Sequence, residues 1–132
     1  MAHIMIVEDE KDVVTLLKFL LEKDGHSVTE AYNGQEALIK LGLIGTPSST
    51  VAPILPELIL LDVMMPIMDG YSVCAKLHES EITRAIPVIV LTAKGEMKEL
   101  FERANVSAYV NKPFDIQKLR QIIAQILARR KK

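Results

Sequence analysis

Short apolar runs recur along the chain, each followed by a segment whose apolar residues fall at helical spacing. The runs are His3 to Val7, Ser27 to Ala31, Leu58 to Leu61, Pro87 to Leu91 and Ala108 to Val110. This alternation predicts repeated strand-helix units around a parallel sheet. Between the first two runs, Val13, Leu16, Leu17 and Leu20 sit at i, i+3, i+4 and i+7, which predicts a helix burying that face, with Gly25 as its stop. Leu119, Ile122, Ile123 and Ile126 repeat the pattern near the C-terminus, after Asp115 in a capping position. Asn33 before Gly34 to Leu41 and Asp69 before Gly70 to Glu79 look like the caps of two more helices, and Gly95 to Ala104 gives a weaker fourth in chain order. Five strands and five helices are expected. Most of the strands are continuously apolar rather than alternating, so helices should cover both faces of a doubly wound α/β sheet.

The segment from Gly42 to Glu57 breaks the pattern, because Gly42, Gly45, Pro47, Ser48, Ser49, Pro53 and Pro56 interrupt any periodicity. It reads as a long surface loop. Of 132 residues, 49% are hydrophobic and 25% charged, which excludes a disordered or low-complexity chain and fits one domain over 1–132. Sixteen basic against 17 acidic residues leave a net charge of -1, so no nucleic-acid or anionic-lipid footprint covers the whole chain. One cysteine, Cys74, rules out an internal disulfide and a multi-cysteine metal cage and fits a reducing compartment. Mean hydropathy is +0.21, but no apolar run approaches the roughly 18 residues of a membrane span. The start lacks the basic and long apolar regions of a signal peptide, so a cytoplasmic location without membrane contact is expected.

Ligands of open parallel sheets bind at the carboxyl ends of the strands. The first run leads into Glu8-Asp9-Glu10, the third into Asp62, the fourth into Thr92 and the fifth into Asn111-Lys112. Right-handed crossovers bring all of these to one edge. Carboxylates gathered there repel one another unless a cation shares the site. With only oxygen donors on offer, a hard ion is expected, and Mg²⁺ suits a site that keeps several waters. Thr92 and Lys112 add a hydroxyl and a positive charge, a set suited to a phosphoryl group, whose transfer requires neutralised oxygens. Taken singly, each of these residues is most often a turn, cap or solvated loop residue. Their conjunction carries the reading.

These residues resemble the receiver domain of two-component response regulators, of the chemotaxis type, along nearly the whole chain. Ile6-Val7-Glu8-Asp9-Glu10 looks like the family's acidic pair, and Leu60-Leu61-Asp62-Val63-Met64-Met65-Pro66-Ile67-Met68-Asp69-Gly70 like its phosphorylation-site signature. Leu91-Thr92-Ala93 and Tyr109-Val110-Asn111-Lys112-Pro113-Phe114 match the other two motifs. The resemblance implies a flavodoxin-like sheet in the order 2-1-3-4-5. It also implies that Asp62 is the phosphoacceptor, taking its group from a phosphohistidine of a sensor histidine kinase or a phosphotransfer protein. Mg²⁺ would be held by Glu8 (through water), Asp9, Asp62 and the main-chain carbonyl of Met64. Thr92 would contact the phosphoryl oxygens, Lys112 would pair with them, and Thr92 with Tyr109 would form the switch. The Lys112-Pro113 peptide is expected to be cis. The loop over 42–57 is longer than the family's usual link, the stretch from Thr92 to Tyr109 is slightly short, and Asn105 stands where the family often has glycine.

The remaining features have plainer readings. Met64, Met65 and Met68 read as packing, His3, His26 and His78 as surface or strand-edge residues without ligand spacing, and Cys74 as a buried inert thiol. The basic tail over 129–132 complements a helix macrodipole. The reading taken forward is a phosphorylatable signalling module with no fused output domain. It is not an enzyme acting on a separate substrate, although it would catalyse its own phosphorylation and dephosphorylation in a phosphorelay, and it has no direct contact with nucleic acid. Alternatives are a receiver cut from a larger DNA-binding regulator and a Mg²⁺-dependent phosphohydrolase with Asp62 as nucleophile. Haloacid-dehalogenase-type phosphatases carry a second acid two residues after the nucleophile, where this chain has Met64. A degenerate receiver that binds partners without phosphorylation is opposed by the intact acidic pair, Asp62, Thr92 and Lys112.

Overall fold

The structure is a computed structural model that describes residues 2–43, 55–62, 70–93, 107–112 and 115–130. In chain order it contains β1 (His3–Val7), α1 (Lys11–Lys23), β2 (Ser27–Ala31), α2 (Gly34–Lys40), β3 (Leu58–Asp62), α3 (Gly70–Glu79), β4 (Val88–Ala93), β5 (Ala108–Lys112) and α4 (Ile116–Arg130). All five strands pair in parallel in the order β2-β1-β3-β4-β5, the flavodoxin-like arrangement. The helix expected over 95–104, the cap Asp69, the Lys112-Pro113 peptide and most of the 42–57 loop lie outside the described residues.

Alternation of side chains along the strands divides the interior into two layers. Met5, Val7, Ile59, Leu61 and Val90 pack against α2 and α3, whereas Ile4, Ile6, Leu58, Leu60 and Leu91 pack against α1 and α4. The central strand explains its own composition: Leu58, Ile59, Leu60 and Leu61 are all fully buried because helices lie on both sides.

Helix ends follow local chemistry. Asn33 Oδ1 accepts the Glu36 N–H at 2.8 Å, and Asp115 Oδ1 accepts those of Gln117 at 2.9 Å and Lys118 at 3.2 Å. α1 ends where Gly25 turns to φ 92°, with Gly25 N–H bonded to the Glu22 carbonyl and His26 N–H to that of Leu21. α2 ends the same way at Gly42, and Leu43 then folds back onto the α2–α3 layer.

Two expectations need correction. The buried stripe of α1 is Val14, Leu17 and Leu21, whereas Leu16 is 43% exposed and Leu20 is half-buried. α1 is therefore rotated about its axis relative to the Val13-Leu16-Leu17-Leu20 face. The reason is that the apolar arc of α1 is broad, running through Val13, Val14, Leu16, Leu17, Leu20 and Leu21, and the phase within it is set by contact with the sheet. Asp62, Thr92, Asn111 and Lys112 also do not lie past their strands: β3, β4 and β5 run on through them, pairing Asp62 with Leu91, Thr92 with Asn111 and Ala93 with Lys112. The ladder continues through polar residues because main-chain pairing does not depend on side-chain polarity.

Candidate acidic site

β1 and β3 are neighbours, and their registers end side by side, with Val7 opposite Leu61. Glu8 and Asp62 are therefore brought together at the carboxyl edge, and Asp9 follows before α1 begins. One carboxylate oxygen from each of Glu8, Asp9 and Asp62 lies within 4.8 Å of the others, the only such grouping of acidic, histidine or cysteine side chains among the described residues. Glu8 is 0% and Asp62 4% exposed, while Asp9 is more open to solvent. Two buried carboxylates beside a third are a costly arrangement for a folded chain unless cationic charge is supplied.

The Glu8 main chain is fixed, its N–H bonded to the Ala31 carbonyl of β2 at 3.0 Å. Its side chain is aimed by a group that sequence reading missed: Oε2 accepts the N–H of Glu10 at 3.1 Å. Glu10 is the N-cap residue of α1 and makes no side-chain cap bond of its own. The start of α1 thus orients one oxygen of the site. A main-chain amide leaves no mark in a sequence beyond the helix start, which was the one available signal.

The strand register places the main chains of Thr92 and Lys112 at the same edge. Asp62 pairs with Leu91, so the Thr92 main chain follows immediately on the adjoining strand, and Lys112 ends β5 beyond it. Tyr109 pairs with Val90. The side chains of Thr92, Tyr109 and Lys112, and all of Met64, lie outside the described part. Among the described residues the donor set is three carboxylates, with no nitrogen or sulfur ligand, which fits a hard divalent cation.

Two of the three histidines are engaged elsewhere. The His3 ring bridges the hydroxyls of Ser27 and Thr29 at 2.7 and 2.6 Å, and His26 Nδ1 accepts the Ala2 N–H at 3.1 Å. Cys74 is buried on the inner face of α3, and burial pushes its thiol up to about 12.

The sequence matches the family model of the response regulator receiver domain over residues 4–124. It is 37% identical over 128 residues to the alkaline phosphatase synthesis transcriptional regulatory protein PhoP of Bacillus subtilis, covering 96% of this chain and 48% of that protein. The chain spans about half the length of the curated relatives it matches, with coverages of 48%, 50% and 42%. Among solved structures, a putative response regulator from Chloroflexus aurantiacus superposes with a TM-score of 0.83 at 29% identity, over 96% of this chain and 98% of that one. The receiver domain of the sensor histidine kinase PA1611 from Pseudomonas aeruginosa, described with a magnesium ion coordinated in the active site cleft, gives 0.82 at 26% identity, with coverages of 96% and 98%.

Proposed function

The chain belongs to the response regulator receiver family and is a receiver domain of two-component signal transduction, and from that premise we propose that Asp62 is its phosphoacceptor. The observation that supports this most is the convergence of Glu8, Asp9 and Asp62 at the end of the central strand. A carboxylate oxygen of Asp62 attacks the phosphorus of a phosphohistidine on a sensor histidine kinase or phosphotransfer protein. The new O–P bond replaces the N–P bond, and the imidazole nitrogen leaves. Glu8, Asp9, Asp62 and the Met64 carbonyl would hold Mg²⁺, Glu8 through water, which supplies charge neutralisation for the incoming group. Glu8 is held in place for this by the Glu10 amide. In the same reading Thr92 contacts the phosphoryl oxygens, Lys112 pairs with them, and Tyr109 answers the movement of Thr92.

The protein is then a phosphoacceptor that catalyses its own phosphorylation and dephosphorylation, not an enzyme acting on a separate substrate. A cytoplasmic location goes with this reading and is supported by the use of a single, buried cysteine. Among the described residues, no helix is long and apolar enough to cross a membrane.

Acetyl phosphate with Mg²⁺ should add one phosphoryl group, seen by intact-mass spectrometry, and chelation of the metal should abolish the addition. Equal labelling of Asp62→Asn would overturn the assignment. A second reading, a receiver that forms part of a longer DNA-binding regulator, is supported by relatives about twice as long that are named as transcriptional regulators. Sequencing across the gene's stop codon separates the two.

A further inference from the structure

β2 is an outermost strand of the sheet. Ser27 donates its N–H to the Ala2 carbonyl and Ala31 offers its carbonyl to the Glu8 N–H, both at 3.0 Å, so the main-chain groups of residues 27, 29 and 31 face β1. Those of Val28 and Glu30 consequently face away from the sheet. Among the described residues no strand pairs with that outer side, and an edge of this kind is a template for another strand.

The pattern is self-complementary. If two copies met antiparallel about Thr29, Val28 of each would exchange two N–H···O bonds with Glu30 of the other. Valine would then stand opposite glutamate, with no like charges directly opposed. The two Glu30 carbonyls, one from each copy, would accept two of the four bonds. In the structure Lys40 of α2 already donates to that carbonyl through Nζ, so an incoming strand would have to displace the ammonium or share the oxygen with it. Glu36, one turn earlier, holds the same ammonium at 3.4 Å. Glu30 cannot easily shift to release its carbonyl, since Lys18 Nζ and the Tyr32 hydroxyl donate to its two carboxylate oxygens at 2.7 and 2.6 Å.

We propose that Lys40 is an edge guard: it occupies the acceptor through which β2 would pair with β2 of a second copy of this chain, and its removal opens that pairing. The guard is independent of the acidic site, so failure of this proposal leaves the phosphoacceptor reading untouched.

Sedimentation equilibrium on the full chain tests it. Lys40→Met keeps the aliphatic stem and deletes the donor, and should tighten self-association about tenfold or more, the scale of two recovered hydrogen bonds. The Val28 and Glu30 amides should then gain protection from hydrogen exchange as concentration rises. Lys40→Arg, which keeps a cation in reach, should behave as the wild type. Adding Val28→Pro, tolerable on an edge strand and lacking the outward N–H, should cancel the gain. Lys40→Leu serves as a second uncharged variant, with folding checked by circular dichroism. Unchanged association in the folded variants overturns the proposal, as does a gain that survives Val28→Pro or the unfolding of both uncharged variants.

Discussion

Arg120 of α4 holds Asp24, the residue that closes α1, through two hydrogen bonds: Nε donates to Oδ2 at 2.7 Å, and a terminal nitrogen donates to Oδ1. The pair joins two helices on the same face of the sheet that are far apart in sequence, and a planar guanidinium is suited to such two-point contact. The Arg120 hydrogen bond, followed by its charge, holds the Asp24 carboxyl below its ordinary value of 3.8.

The sign of the resulting pH dependence follows. A carboxyl lowered in the folded state contributes stability above its unfolded value and loses it as the pH falls through the folded value. Arg120→Ala should therefore melt below the wild type at neutral pH, by a small margin because the pair is partly solvated, and the gap should narrow as the pH falls below the ordinary carboxyl value of 3.8. Melting curves across pH measure this, and a gap that persists in acid would mean that Arg120 acts through packing.

The phase of α1 can be tested with two neighbouring leucines. Leu17 is 1% exposed and Leu16 is 43% exposed. Leu17→Ala should cost about 2–5 kcal/mol and Leu16→Ala under about 1 kcal/mol in urea unfolding. The reverse ranking would restore the phase read from the sequence.

Metal binding should appear as stability. Mg²⁺ that binds the folded acidic cluster and not the unfolded chain should raise the melting temperature, reaching about 2.7 kcal/mol at a hundredfold excess over Kd. Chelation should reverse the rise, and Asp9→Asn should remove most of it. An equal rise in that variant would place the ion elsewhere.

Signal transfer should divide between two residues. Thr92→Ala should still accept a phosphoryl group but weaken the conformational response, and Tyr109→Ala should alter partner binding more than phosphorylation. NMR spectra with and without beryllofluoride and Mg²⁺ decide this. Shifts confined to the metal site, with no response from the Tyr109 ring, would remove this route.

The sequence carried the strands and the caps because each is written in a few adjacent residues. The Asn33 and Asp115 caps lie within three residues of the amides they accept, and the runs at His3 and Ser27 coincide with β1 and β2. The α1 phase was not legible, because Val13, Val14, Leu16, Leu17, Leu20 and Leu21 satisfy two competing stripes and only the sheet decides between them. The last residues of β4 and β5 were lost for a related reason: hydrophobicity marks where a strand is buried, whereas the ladder at Thr92 and Lys112 is held by main-chain groups. Of the acidic site, the three carboxylates were legible from their place after apolar runs. The Glu10 amide, only two residues from Glu8, was missed because a main-chain donor leaves no side-chain signal, whereas the pairings of Arg120 with Asp24 and Lys18 with Glu30 join residues whose closeness the fold alone creates.

The chemistry of Cys74 has a practical use. A thiol at 2% exposure, pushed up to about 12, is almost wholly protonated at neutral pH and shut away from reagents. It is also the single cysteine of the chain. A cysteine introduced at Phe19, a position 63% exposed on α1, would therefore be the one group to take up a maleimide dye or a spin label. Site-specific spectroscopy on this protein can begin from the natural sequence, without first engineering a cysteine-free background.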